Sequence, residues 1–115
     1  MGTEKTTNTE TYSLTIKANY FRNIEKIVDY IAFEQKQPLN AIKVGEGIHQ
    51  TMLKIKYNPF VYSECENIPT KTKIYREARY KTWLIIFKVK SAELIILGVL
   101  NSKLKPSSFK KITRK

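Results

Sequence analysis

Two neighbouring apolar segments, WLIIF at 83–87 and LIILGVL at 94–100, limit the folds open to this chain more than anything else in it. Both are strand-sized and rich in aliphatic and aromatic residues, and Ser91-Ala92 lies between them as the expected turn of a β-hairpin. Trp83, Ile85, Phe87 and Val89 alternate with Leu84, Ile86 and Lys88, so the first strand is apolar on both faces at its middle. Such a strand belongs at the centre of a sheet, with helices covering one side. Cations flank the hairpin: Arg76 and Arg79 precede it, and Lys103 and Lys105 follow it. A compact core presenting a positive surface to an anionic partner is the first expectation.

The remaining segments supply the covering helices. TYSLTIK at 11–17 alternates Tyr12, Leu14 and Ile16 against Ser13 and Thr15, a half-buried strand. Asn19 is placed to cap a helix carrying Phe21, Ile24, Ile27, Val28 and Ile31 on one face. Gln37-Pro38 ends that helix, because the residue before proline is pushed out of helical geometry. A second helix runs from about Leu39 to Lys56, with Ala41, Val44, Ile48, Met52 and Ile55 as its stripe, until Asn58-Pro59 stops it. Gly45 and Gly47 cost that helix about 1 kcal/mol each relative to alanine, and their small size allows the two helices to approach closely. After a loop over 57–70, strands are expected at roughly 72–79, 81–90 and 93–101. The order β-α-α-β-β-β predicts an α+β fold: an N-terminal strand and a helical hairpin packed on one face of a mostly antiparallel four-stranded sheet. Residues 1–10 are expected as a flexible tail, 11–107 as the domain and 108–115 as a basic tail, with Phe109 to Ile112 forming at most one helical turn.

Composition removes several classes of chemistry. One hundred and fifteen residues with 42% hydrophobic content make one domain able to bury its own core. No apolar run reaches the length of a membrane-spanning helix, and the polar N-terminus has no apolar segment of the signal-peptide kind, so a cytoplasmic protein without a membrane partner is expected. Cys65 is the only cysteine and His49 the only histidine, so neither a disulfide nor a metal site is expected, and no cofactor is. Glu64 and Glu66 beside Cys65 disfavour its thiolate, which argues for a filler in a loop. The net charge is +11. From Lys71 to Lys90 seven cations face the single Glu77, and from Asn101 onward Lys103, Lys105, Lys110, Lys111, Arg114 and Lys115 face no acid. A balanced solvated surface would mix its signs, so this asymmetry implies nucleic acid, an anionic membrane or an acidic protein as partner.

The element order, the phrase ANYFRNIEKIVDYI, the helix-ending YNPF and the block YREARYKTWLIIFKVKSAELIILGVLNS resemble the RelE/ParE superfamily of toxins from toxin–antitoxin modules. The likeness covers about residues 11–107, and the aromatic-aliphatic strand preceded by arginine is its most specific part. It implies a growth-inhibiting, plasmid-stabilising toxin held in check by a cognate acidic antitoxin.

Two branches differ in chemistry. The resemblance implies, for the ribonuclease branch, ribosome-dependent mRNA cleavage with an arginine on the strand equivalent to 83–87 and a Tyr or His after the last strand. Here Leu84 stands at the first place, Asn101-Ser102 at the second, and no Tyr or His follows Tyr80. A ribonuclease would then have to use Lys71, Lys73, Arg76 and Arg79 for charge stabilisation and proton transfer alike, and arginine stays protonated. The ParE-like branch, associated with poisoning DNA gyrase, fits better. Its binding residues are expected among Arg76, Arg79, Lys81, Lys103, Lys105, Lys110 and Lys111, with no catalytic group. A rival reading from another class is a plain RNA- or DNA-binding module stacking bases on Tyr75, Tyr80 and Trp83.

Overall fold

The computed structural model describes residues 12–114, so the expected tail over 1–10 lies outside the described residues. Strand β1 (Ser13–Ile16) leads through Lys17 into helix α1 (Ala18–Asp29), which passes into a π-helical turn (Tyr30–Glu34). Helix α2 (Pro38–Lys54) returns antiparallel and winds down through two 3-10 turns, Ile55–Tyr57 and Pro59–Val61. Strands β2 (Tyr75–Tyr80), β3 (Trp83–Lys90) and β4 (Glu93–Asn101) follow, and then helix α3 (Pro106–Lys111) with a 3-10 turn (Ile112–Arg114). The sheet order is β1-β4-β3-β2, with β1 parallel to β4 and the other pairs antiparallel. The α+β fold expected from the element order is therefore present.

Alternation along β3 sorts the core into two layers. Ile85, Phe87 and Val89 join Leu94, Ile96 and Val99 beneath the helical hairpin, against Ile27, Ile31, Ala41, Val44, Ile48, Met52 and Ile55. Leu84 and Ile86 point the other way, with Ile95 and Leu97. That second face is not left to water. Phe109 and Ile112, from the segment expected as a basic tail, cover it together with Cys65 and Ile68 from the 57–70 loop. Phe109 is fully buried, and a buried side chain of this size contributes about 3 kcal/mol.

Several boundaries move, each for a local reason. Strand β2 starts at Tyr75 rather than near 72 because Lys73 takes a left-handed φ of 54°. Strand β3 starts at Trp83 rather than 81 because Lys81, with φ 55°, forms the β2–β3 turn. Ser91 does the same work in the β3–β4 turn, where the sequence placed it. Gly45 faces Val28 of α1, as helix approach requires, but Gly47 faces the Tyr80 ring of β2, so this glycine admits the sheet rather than the other helix.

Asn19 corrects a sequence expectation. Lys17 occupies the N-cap of α1 without a side-chain bond, and Asn19 lies inside the first turn. A β-bulge there explains its use. Phe87 pairs with Ile96 and Ile86 with Gly98, leaving Leu97 as the extra residue and returning Val99 to the helix-covered face. β1 has already ended opposite Ile96, so the outer edge of β4 loses its strand partner at this bulge. Asn19 Nδ2 donates to the Leu97 carbonyl at 3.3 Å, and Asn23 Oδ1 accepts from the Val99 amide at 2.8 Å. One turn apart on α1, the two side chains replace the missing strand.

Candidate functional site

The cations expected to bind a partner fall at different places. Lys71 and Lys73 precede β2, whereas Arg79 stands near its far end. Tyr75 and Arg79 alone are separated by ~13 Å at the rise of a strand. Lys71, Lys73, Arg76 and Arg79 are thus spread along β2 and the segment before it.

Arg76 has an internal assignment. Its guanidinium donates to the Tyr62 carbonyl at 2.6 Å and lies 5.1 Å above the Phe60 ring. It ties the 59–62 segment to β2, which also bridges to Glu64. A carbonyl and a ring, rather than a carboxylate, hold it.

Arg79, Lys81, Lys103 and Lys105 gather at one end of the sheet. The β2–β3 turn and the chain leaving β4 are fastened to each other there. The Ser102 amide donates to the Thr82 carbonyl at 2.8 Å, and Thr82 Oγ1 donates to Asn101 Oδ1 at 3.2 Å. The same Asn101 oxygen accepts from the Lys103 amide at 2.9 Å, and Arg79 Nη1 donates to the Lys81 carbonyl at 3.2 Å. All four cations are exposed. Asn101 and Ser102 are thus the fasteners of a positive corner. Lys110 and Lys111 project from α3, whose Phe109 is anchored in the second core layer.

The remaining titratable candidates are spoken for. Leu84 is buried in the layer with Cys65, Ile86 and Phe109, so an arginine at this position would enter the core rather than a solvent-facing site. Tyr20 is fully buried, its Oη 3.1 Å from His49 Nδ1, and burial pushes its hydroxyl up from 10.0 to about 12. His49 therefore belongs to the helix interface. Cys65 is completely buried, and its thiol is pushed up from 9.0 to about 12, first by burial and then by the nearby Glu77 carboxylate. The like-charge effect expected from Glu64 and Glu66 comes instead from across the strand. Among the described residues no group of three or more His, Cys, Asp or Glu side chains is arranged to hold a metal. No described helix is long and apolar enough to cross a membrane.

The helical hairpin reaches past this corner. Gly47 of α2 packs on Tyr80, the last residue of β2, while Tyr62, beyond the far end of α2, packs edge-on against Phe87. The nine residues of α2 before Gly47 add ~13 Å of helix beyond the sheet. The π-helical turn at the tip packs on α1 and α2. Sequence periodicity gave the two helices but not this overhang, because their position relative to the sheet is set by the glycine contact.

Comparison with known proteins agrees with this architecture. The sequence profile of the family described as ParE toxin of type II toxin-antitoxin system, parDE, matches residues 15–104. A chain of the chromosomal ParDE toxin–antitoxin system from P. aeruginosa superposes with a TM-score of 0.61 at 18% identity, covering 79% of this chain and 96% of that one. A chain of the RelBE2 toxin–antitoxin complex from Mycobacterium tuberculosis gives 0.51 at 13% identity, covering 78% and 90%. No curated protein sequence matches. With most of its length under the family profile and the fold shared with both complexes, the chain belongs to the ParE toxin family of type II toxin–antitoxin systems.

Proposed function

We propose that this toxin arrests growth by binding DNA gyrase rather than by cutting RNA, and that an acidic antitoxin neutralises it. The observation that carries this reading is the positive corner: Arg79, Lys81, Lys103 and Lys105 are exposed together, and the residues fastening them, Thr82, Asn101 and Ser102, cannot exchange protons near neutral pH. Four cations on a firmly held corner suit recognition of carboxylates or phosphates. Both structural relatives belong to systems described with an antitoxin, and an acidic chain segment is the matching partner for a +11 domain. Lys110 and Lys111 extend the same field along α3. Arg76 is left to its internal contact. The deciding experiment compares two assays on the purified chain. Gyrase supercoiling is expected to be inhibited while ribosome-dependent mRNA cleavage is absent. Cleavage abolished by Arg79→Ala would reverse the assignment, and salt-sensitive binding of naked oligonucleotides without gyrase inhibition would favour a plain nucleic-acid module.

A further inference from the structure

Lysine predominates at the positive corner, and that selects its ligand. Arg79 is the corner's single arginine, and one arm of its guanidinium is already engaged by the Lys81 carbonyl at 3.2 Å. Lys81, Lys103 and Lys105 are exposed, and a lysine ammonium acts as a point charge. Carboxylates are gripped best by an open arginine fork, whereas phosphate is also held by lysines. Protein interface centres, by contrast, are rich in aromatic residues and poor in lysine. The segments 78–83 and 100–106 contain no acid. Among the described residues of these segments, Leu104 alone is a large apolar side chain that is exposed.

The neighbouring rings narrow the ligand further. Tyr80 and Trp83 pack against the helix-covered core, and Tyr75 packs on the second layer with Lys88 Nζ 5.9 Å from its ring centre. Single-stranded nucleic acid is held largely by bases stacked on aromatic faces. Rings packed in this way suit a duplex met through its phosphates instead. The turn between β2 and β3 adds a backbone observation. Lys81 sits there with a left-handed φ of 55°, where glycine or asparagine would be less strained. Lys36 and Lys73 share that conformation elsewhere, so it assigns nothing alone. At Lys81 it coincides with three other exposed cations on hydrogen-bonded segments, as strain at a working site does.

We infer that Arg79, Lys81, Lys103 and Lys105 bind the phosphate backbone of duplex DNA, and that the toxin meets gyrase on the DNA which that enzyme holds. The second half rests on the proposed function; the first is a property of the chain alone. Because Ser102 and Asn101 tie the chain leaving β4 to Thr82, the four charges reach the duplex as one unit.

Fluorescence anisotropy of a short labelled duplex titrated with the purified full chain, without gyrase, tests the site. Between about 50 mM and about 200 mM salt the affinity is expected to fall on the order of 100-fold, as four phosphate contacts require. Arg79→Gln, Lys81→Gln, Lys103→Gln and Lys105→Gln combined should bring the log–log salt slope about 3–4 units closer to zero. Lys71→Gln, Lys73→Gln, Lys88→Gln and Lys90→Gln combined remove the same charge from the opposite end of β2 and β3. That set should change the slope by less than about 1 unit. Lys81→Asn, which suits the left-handed turn, should weaken binding with no loss of thermal stability. Single-stranded RNA of equal length should bind at least ~10-fold more weakly; equal or tighter binding would assign the phosphates to RNA and overturn the inference. So would a slope that the corner substitutions leave unchanged, or that both sets change equally. If the site fails in this way while supercoiling is still inhibited, the inference falls and the gyrase reading stands. DNA binding through the corner without inhibition would overturn the gyrase reading and the meeting on DNA.

Discussion

Cys65 shows how one residue's chemistry is decided by its surroundings. Its sequence neighbours are acids, and from them an unreactive thiol is expected; burial, aided by the Glu77 carboxylate and opposed by backbone hydrogen bonds at Asn67 and Ile68, is what enforces it. A thiol raised from 9.0 to about 12 stays protonated in the folded chain while the unfolded chain ionises above 9. The unfolded state then holds fewer protons, so stability should be level below about pH 9 and fall as pH rises toward 12. The buried Tyr20 hydroxyl, raised from 10.0 to about 12, acts in the same direction. Denaturant titrations at pH 7, 9 and 10.5 check the sign, and native Cys65 should resist iodoacetamide at pH 8 until the chain unfolds. Rapid native labelling would show that the second core layer opens readily. Arg76 carries the opposite lesson: the sequence offered it as a binding residue, and the nearby Tyr62 carbonyl and Phe60 ring that hold it could not be located from the chain order.

At the scale of elements, proline and hydrophobic period were reliable guides. Pro38 opens α2, Pro59 stands where it stops, and the apolar hairpin is the central strand pair. What stayed hidden depended on residues distant in sequence. The bulge at Leu97 has no local signature, yet it turns Asn19 and Asn23 from helix residues into edge partners of β4. Asn23→Ala should therefore cost about 1–3 kcal/mol by leaving the Val99 amide unpaired, well beyond an ordinary surface change. Helix α3 was illegible for another reason: Phe109 and Ile112 are only two apolar residues among lysines, too few to show a period. Their burial predicts that Phe109→Ala destabilises the chain by about 3–5 kcal/mol, measured by thermal or denaturant unfolding. A loss below 1 kcal/mol would mean that α3 adds little to the core.

For the whole molecule, positive charge and exposed apolar surface are concentrated at different places. Beneath the overhang lies a positive corner fastened by neutral hydrogen bonds; toward its far tip Tyr30, Phe33, Leu39 and Ile42 are exposed. The family resemblance was legible because element order and the buried hairpin define this fold. The positive corner was legible only as a list of cations, since Lys73 and Arg79 are close in sequence but lie toward opposite ends of β2. Binding through that corner is the central claim. Its most direct test is a supercoiling titration of gyrase with the wild-type chain and with Arg79→Gln, Lys81→Gln, Lys103→Gln and Lys105→Gln combined, both verified as folded. The wild-type chain should inhibit, and the variant should require at least ~100-fold more protein, the loss of about 2.7 kcal/mol of binding. Equal inhibition by the two proteins, or none by either, would contradict it.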